Sequence, residues 1–303
     1  MPEVVPRLTL RELVERHVPD GQELFVGGFA FSDPMALAHE LVRQGRRGLD
    51  VYKTSGGLLV DLLLGAGAIG RLTFCHVWNS VGPQAAHAFR RAIQDGVPLR
   101  PEIEELSYGS YSAALVAGAW GLPFMPTTPM VGAGHFTTHA FRPDKLALVT
   151  SPFDATPVTV AKAIRPELGV FHVQRADIHG NGQMTGPTAE MRYALGACRR
   201  VFLITEEIVP TEQIRATPEL TVVPGFAVEG LVVEPWSAHP TDCASYYRRD
   251  LEHHMLYGAM TKTVDGFQQY LDEWVHEAGD QAGYRRKLGP EALDALALRE
   301  GWA

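Results

Sequence analysis

Three short stretches of this chain carry residue types that could do chemistry together. Pro101-Glu102-Ile103-Glu104-Glu105-Leu106-Ser107-Tyr108 places three carboxylates between an expected strand and an expected helix. From there one carboxylate can reach into a cleft as a base, although a wholly solvated acidic loop fits the composition as well. Glu206-Glu207, at the end of another expected strand, has the same standing. The second stretch is Leu24-Phe25-Val26-Gly27-Gly28-Phe29-Ala30-Phe31-Ser32-Asp33-Pro34. Its apolar run, bare glycine turn and Asp-Pro pair read as strand, turn and N-capped helix, where an anionic group can meet main-chain N–H groups. The third, Thr54-Ser55-Gly56-Gly57, is a second bare turn.

Other chemistries fail on spacing. Gly27-Gly28-Phe29-Ala30 does not give the G-x-G-x-x-G of a dinucleotide site, and no Gly-Lys-Ser/Thr completes a P-loop. Thr54-Ser55-Gly56 lacks the leading glycine of a nucleophile elbow. Among 12 histidines, His135 and His139 stand four apart, but no glutamate follows His135 as in a zincin, and His253-His254 are adjacent. Hydrogen-bonded or solvated histidines are expected rather than a metal site. Cys75, beside His76, reads as core because no second cysteine is near it in sequence.

These stretches need a frame. Thr9-Leu10-Arg11-Glu12 has the capping-box spacing and opens a helix with Leu10, Leu13 and Val14 on one face. Helix is expected over residues 34–44, with Met35, Leu37, Ala38 and Leu41 inward and Gly45 as its stop. Strand over 49–52, turn at 55–57 and helix over 58–65 repeat the unit, and strand 71–76, loop 77–83 and helix 84–95 repeat it again. Three strand-loop-helix units imply a parallel sheet with right-handed crossovers, and the loops from Gly27, Thr54 and Val77 should line one cleft at the strands' carboxyl ends. Helix 110–120 follows, then an irregular segment holding Val131-Gly132-Ala133-Gly134-His135, of a kind that is often functional. Strands are expected near 146–150, 158–161, 170–173, 200–205 and 231–233, with a tight turn at 177–182 and helices at 188–197 and 211–215. From Tyr246 the pattern is helical, with Leu251, Met255, Phe267, Tyr270, Leu271 and Trp274 as apolar stripes. No linker or low-complexity stretch cuts the chain, so one domain over 1–303 is expected, with an α/β core at 1–245 and a helical tail at 246–303.

The 303 residues are 46% hydrophobic and 20% charged, enough apolar content for a substantial core. A formal net charge of −8 gives no basic field for nucleic acid or an anionic membrane. Three cysteines, far apart and odd in number, argue for a reducing compartment, and the cytoplasm is expected. Glu3, Arg7, Arg11 and Glu12 interrupt any apolar signal or spanning segment at the start of the sequence.

The order of Gly27-Gly28-Phe29, residues 105–111, Leu122-Pro123-Phe124-Met125-Pro126, residues 174–182, Thr205-Glu206-Glu207-Ile208-Val209 and Ala238-His239-Pro240 resembles class I CoA-transferase A subunits, most closely the glutaconate CoA-transferase A type. The resemblance runs nearly end to end, through Leu288-Gly289. It implies an open, mostly parallel α/β sheet and a B subunit of similar fold, in a heterotetramer or larger assembly. The family's nucleophilic glutamate sits on B: it attacks the acyl-CoA, forms an acyl anhydride and then a glutamyl-CoA thioester, and passes CoA to a second carboxylate. CoA is then a substrate moiety, with no permanently bound cofactor. The candidate catalytic residues are Glu105 and Asn79. The candidate substrate-binding residues are Gly27, Gly28, Phe29, Ser32, Ser55, Gly56, Gly57, Ser80, Tyr108 and Gly132. Bare glycine backbone and Asn79 suit a developing oxyanion, and small residues leave room for an acyl group. The same family holds relatives that open a ring of a steroid-derived acyl-CoA or decarboxylate a glutaconyl-type acyl-CoA. In the ring-opening branch a glutamate resembling Glu105 is a base, whereas transferase A subunits carry aspartate there. A transferase, a hydrolase or lyase, and a non-catalytic acyl-CoA sensor are therefore the three readings.

Overall fold

The computed structural model describes residues 4–79, 81, 85–129, 133, 134 and 142–298. The chain opens with β1 (Arg7–Leu8), α1 (Leu10–His17) and β2 (Glu23–Val26), then alternates through α2 (Met35–Arg43), β3 (Leu49–Gly56), α3 (Leu58–Gly65), β4 (Ile69–Val77), α4 (His87–Gln94), β5 (Glu102–Glu105) and α5 (Tyr108–Ala119). A small antiparallel sheet follows from β6 (Phe124–Pro126), β7 (Leu146–Thr150) and β8 (Pro157–Lys162), in the order β6-β8-β7. The main sheet resumes with β9 (Leu168–Ala176), β10 (Gly182–Gln183), α6 (Met191–Ala197), β11 (Arg200–Ile208), α7 (Thr211–Ala216), β12 (Thr221–Val223) and β13 (Gly230–Val233).

Eight strands of the main sheet run parallel in the order β1-β13-β11-β9-β2-β3-β4-β5; β10 joins antiparallel to β9 and β12. From β2 the chain steps outward through β3, β4 and β5, and from β9 it steps the other way through β11 and β13. The crevice between β2 and β9 is thus the topological switch point, where open α/β sheets bind ligands. Both faces are covered, as a parallel sheet requires. Along β2, Leu24 and Val26 enter the core under α1 to α4, while Phe25 between them enters the core under α5 and α6.

The tail consists of α8 (Leu251–Met260), α9 (Val264–Tyr270), which continues as a π-helical turn over Leu271–His276, α10 (Gln281–Leu288) and α11 (Pro290–Leu296). It packs on the α2 and α3 side. A Cβ on Gly65 would lie 2.3 Å from the Phe267 ring, so only glycine lets α3 accept that side chain. Tyr257 Oη donates to Asp61 Oδ2 at 2.8 Å, and Arg43 Nε to the Val275 carbonyl at 2.8 Å. Phe267, Tyr270 and Leu271 are buried, whereas Leu251 and Met255 stay exposed. No helix among the described residues is long and apolar enough to cross a membrane.

Several expected boundaries move, each for a tertiary reason. β3 continues through Ser55 and Gly56, so the turn is left to Gly57. The acids at 102–105 form β5 itself: Glu102 meets Arg71 at 3.0 Å, and Glu104 is buried against Lys145. Glu206 and Glu207 lie inside β11 rather than after it. The helix expected from residue 84 begins at His87. Asp33 does not cap α2: the N-cap position falls on Pro34 without a side-chain bond, because the Asp33 carboxylate is engaged elsewhere. Gly132, Ser80, His135 and His139 lie outside the described residues.

Candidate active site

The site starts where β2 ends. Gly27 N–H donates to Val170 O at 2.9 Å, and a Cβ there would meet Phe171 at 3.1 Å, so β9 presses on this position. Gly28 has φ +90°, and a Cβ on it would fall 2.4 Å from Asp33 Oδ1 and 2.8 Å from Ser32 O. Ala30 and Ser32 follow with φ of 58° and 49°, a left-handed conformation that costs energy for residues with a side chain. A loop bent this hard must be held, and it is held from both sides.

From below, Lys53 reaches up from β3. Its Nζ, fully buried, donates to Gly27 O at 2.7 Å, Gly28 O at 2.5 Å and Asp33 Oδ1 at 2.8 Å. Burial pushes the Asp33 carboxyl above its ordinary range, against the opposing pull of the Lys53 ammonium. From the other side, residues 237–242 strap the loop: Ser32 N–H donates to Asp242 O at 2.8 Å, Asp33 N–H to Thr241 Oγ1 at 3.2 Å, and Ala36 N–H to Ser237 O at 2.9 Å. The N-terminus of α2 is therefore closed by two of the protein's own carbonyls and a threonine hydroxyl and is no anion cradle. Of the turn's amides, Gly27 N–H goes to β9 and Phe29 N–H to Phe31 O at 3.0 Å. Among the described residues no partner takes up the Gly28 N–H.

β3 and β4 supply the floor. Thr54 donates to the buried Glu190, whose carboxyl is raised by burial against that hydrogen bond. Ser55 Oγ lies 2.9 Å from His76 Nε2. His76 is exposed at the end of β4, and its ring stands 6.1 Å from both Phe29 and Trp78. Cys75, one residue earlier, has its thiol driven far up by burial, with Glu190 and Glu105 adding to the shift, so it offers no thiolate. Asn79, 5% exposed, accepts from Val81 N–H at 3.2 Å through Oδ1, while its Nδ2 is buried with no partner among the described residues. A buried amide N–H₂ without an acceptor is costly in a static fold and useful where an acceptor arrives with substrate.

β5 closes the rim. Glu105 is exposed at its end, and Lys145 Nζ donates to its carbonyl at 3.2 Å. Ser107 caps α5, and Tyr108, 47% exposed, meets Phe29 edge-on at 5.8 Å. The structure thus gathers Gly27, Gly28, Phe29, Ser55, Tyr108 and Asn79 at one end of the sheet. Gly57 is near them, since a Cβ on it would lie 3.6 Å from Asp33 Oδ2, while Gly56 packs against Val77 and Val60. Ser32 is buried under the strap.

Two residues of this cleft are not singled out by the sequence. Lys53 carries one signal there, a lysine in a strand expected to be buried on both faces; His76 stands out only as a neighbour of Cys75. Glu206 belongs to a different group. It accepts from Trp236 N–H, from Tyr247 Oη at 2.7 Å and from Ser237 Oγ at 3.2 Å, and lies 2.8 Å from His172 Nε2. His172, Glu206 and Cys243 stand within 4.8 Å of one another, but this carboxylate already has four polar neighbours and acts as a packing hub for the strap.

The Coenzyme A transferase family model matches residues 7–234. The chain is 31% identical to the A subunit of 3-oxoadipate CoA-transferase from Pseudomonas knackmussii, over 93% of this chain and 97% of that one. It is 27% identical to the A subunit of glutaconate CoA-transferase from Acidaminococcus fermentans, over 97% and 95%, and 28% identical to the cholesterol ring-cleaving hydrolase IpdA subunit of Rhodococcus jostii, over 86% and 88%. The crystal structure of the Acidaminococcus fermentans glutaconate enzyme superposes with a TM-score of 0.89 at 27% identity, covering 96% of this chain and 95% of that chain. A variant of the decarboxylase AibA/AibB superposes with a TM-score of 0.74 at 28% identity, covering 89% and 100%. A parallel sheet with its switch point at a clamped glycine turn, and a match that spans nearly all of that sheet, give the same answer: the chain belongs to the Coenzyme A transferase family.

Proposed function

We propose that this chain is the A-type subunit of a heteromeric CoA-transferase that moves CoA between a short or dicarboxylic acyl-CoA and a carboxylate acceptor, with the attacking glutamate on a B-type partner. One observation supports the reading: among the described residues the cleft offers donors, and neither its serine nor its cysteine is a ready nucleophile. Among the described residues Gly28 N–H and Asn79 Nδ2 have no acceptor, and both would serve a thioester oxygen that gains charge. Ser55 is fully buried and the Cys75 thiol stays protonated. Preorganised donors of this kind each contribute a few kcal/mol to an acyl-transfer transition state. The partner's glutamate would attack the thioester carbon, the thiolate would leave, and the two donors would hold the oxygen in the tetrahedral intermediate.

The relatives support this reading in their names, two of which are CoA-transferase A subunits. CoA enters as a substrate moiety, and no resident cofactor is needed. The experiment is co-expression with a B-type subunit followed by incubation with acyl-CoA and trapping with borohydride or hydroxylamine; the adduct should form on the partner.

A second reading, hydrolase or lyase chemistry with Glu105 as base, is favoured by one feature. Glu105 ends β5 exposed, close enough to Cys75 to raise its thiol. Glu105→Gln should abolish turnover under that reading, whereas a transferase relying on its partner's glutamate should keep most of its rate.

A further inference from the structure

We infer that His76, oriented by Ser55, selects acyl groups that carry a second oxygen acceptor, an oxo group or a carboxylate, beyond the thioester. The inference rests on the acyl-CoA reading above and concerns the same cleft. Ser55 is fully buried at the end of β3, so its hydroxyl, 2.9 Å from His76 Nε2, can serve the imidazole but cannot itself touch a ligand. If Ser55 donates to Nε2, the ring carries its proton on Nδ1. If Nε2 carries the proton, the ring presents Nδ1 only as an acceptor. Burial lowers the His76 imidazole and favours the neutral ring, so with Ser55 donating to Nε2 an oxo group or a carboxylate is met by Nδ1–H.

The surroundings point to an organic chain. Phe29 follows directly on Gly28, and its ring centroid is 6.1 Å from that of His76 and 5.8 Å from that of Tyr108. Trp78, 51% exposed, also lies beside the imidazole, again at 6.1 Å. An acyl group whose thioester sits at Gly28 would run along Phe29 and reach His76 within a few methylene groups, between aromatic walls. An oxygen acceptor held between those rings would take the imidazole N–H, and an analogue lacking it would forfeit that hydrogen bond. His76 would be the contact residue and Ser55 a positioning residue.

The test uses the heteromer with its B-type partner and three probes of equal chain length: glutaryl-CoA, 4-oxopentanoyl-CoA and pentanoyl-CoA. Calorimetric binding and kcat/KM for CoA transfer to acetate are measured for wild type, His76→Ala, His76→Asn and Ser55→Ala, each checked for an unchanged melting curve. Wild type should favour one or both oxygenated probes over pentanoyl-CoA by about tenfold to a hundredfold, the range expected for one hydrogen bond to a charged or strongly polar group. His76→Ala should erase that preference, costing the oxygenated probes about tenfold or more beyond whatever it costs pentanoyl-CoA, His76→Asn should restore part of it, and Ser55→Ala should fall between. The glutaryl and oxopentanoyl arms tell which acceptor is read. Equal losses on all three probes in His76→Ala, or no preference in wild type, would overturn the inference. Discriminating binding without CoA transfer to any carboxylate would instead overturn the transferase reading and leave this one standing.

Discussion

The Lys53 ammonium and the Asp33 carboxylate lie 2.8 Å apart, both without solvent exposure, directly beneath the turn that carries Gly27 and Gly28. The lysine also serves both glycine carbonyls, so one cation fixes which way the turn's peptide groups face. Removing it leaves a buried carboxylate and two buried carbonyls unmatched. Lys53→Met should therefore destabilise the chain by about 3–5 kcal/mol, the usual cost of stranding a buried charge. Lys53→Met combined with Asp33→Leu should recover much of that loss. Urea unfolding of the three variants checks it; a single substitution costing under about 1 kcal/mol on that scale would show that the pair does not hold the turn.

Gly28→Ala places a methyl group 2.4 Å from Asp33 Oδ1 in a left-handed residue, whereas Gly45→Ala, with φ +64° and open space, adds only backbone strain. The second change should cost about 1–2 kcal/mol and leave turnover of the heteromer near wild type. The first should lower turnover sharply as well as stability, because the turn must shift to relieve the clash and would carry the proposed Gly28 N–H donor out of position. Comparable turnover in both variants would remove Gly28 from the site.

Asn79→Ala should lower kcat by about a hundredfold to a thousandfold with little change in KM, as loss of one oxyanion donor does. Steady-state kinetics of the heteromer measures this. A raised KM at unchanged kcat would instead make Asn79 a ground-state contact.

Much of the frame was legible in the sequence because it is written in local periodicity. The helix Leu58–Gly65 and the strand Leu146–Thr150 fall at the expected residues, and the capping box at Thr9 and Glu12 forms with both of its bonds. What could not be read depends on partners far along the chain. Asp33 resembles a helix cap because its partner Lys53 is 20 residues away, and Glu104 resembles part of an acidic loop because Lys145 is 41 residues away. Lys53-Thr54-Ser55 has the look of a turn's opening, which would stop β3 at Tyr52; each of those polar side chains is instead buried against a partner, on Asp33, Glu190 and His76. The family resemblance orders the motifs but could not reveal that residues 237–242 seal the helix N-terminus.

The tail supplies a pH prediction. His253 and His254 are buried, and burial depresses their imidazoles to about 3 and about 4 from an ordinary 6.5; His39, facing them from α2, is also driven well below its ordinary value. Around them stand His239, Asp250, Arg43 and Arg249, with Tyr270 and Tyr284 as hydrogen-bond partners. The unfolded chain protonates these histidines near 6.5 while the folded chain does not, so their contribution to stability is complete above that pH. It is lost progressively as pH falls from 6.5 towards about 3, at roughly 1.4 kcal/mol per unit for each histidine. Between pH 7.5 and 4.5 the urea midpoint of wild type should lose more with falling pH than that of His253→Gln. Glu234 and Asp61, raised by burial to about 7 and about 6, oppose this trend, so the comparison is between variants: an equal slope in wild type and His253→Gln would contradict the burial of that ring.

The most direct measurement concerns where the covalent intermediate forms. The chain is purified alone and with its B-type partner, each is incubated with acyl-CoA, and the hydroxylamine- or borohydride-trapped adduct is located by peptide mass spectrometry. The expected result is no CoA exchange by the single chain and, in the heteromer, an adduct on a glutamate of the partner only. An adduct on Glu105 or Ser55 of this chain, or CoA exchange by the chain alone, would contradict the assignment of this cleft as the donor half of a shared transferase site.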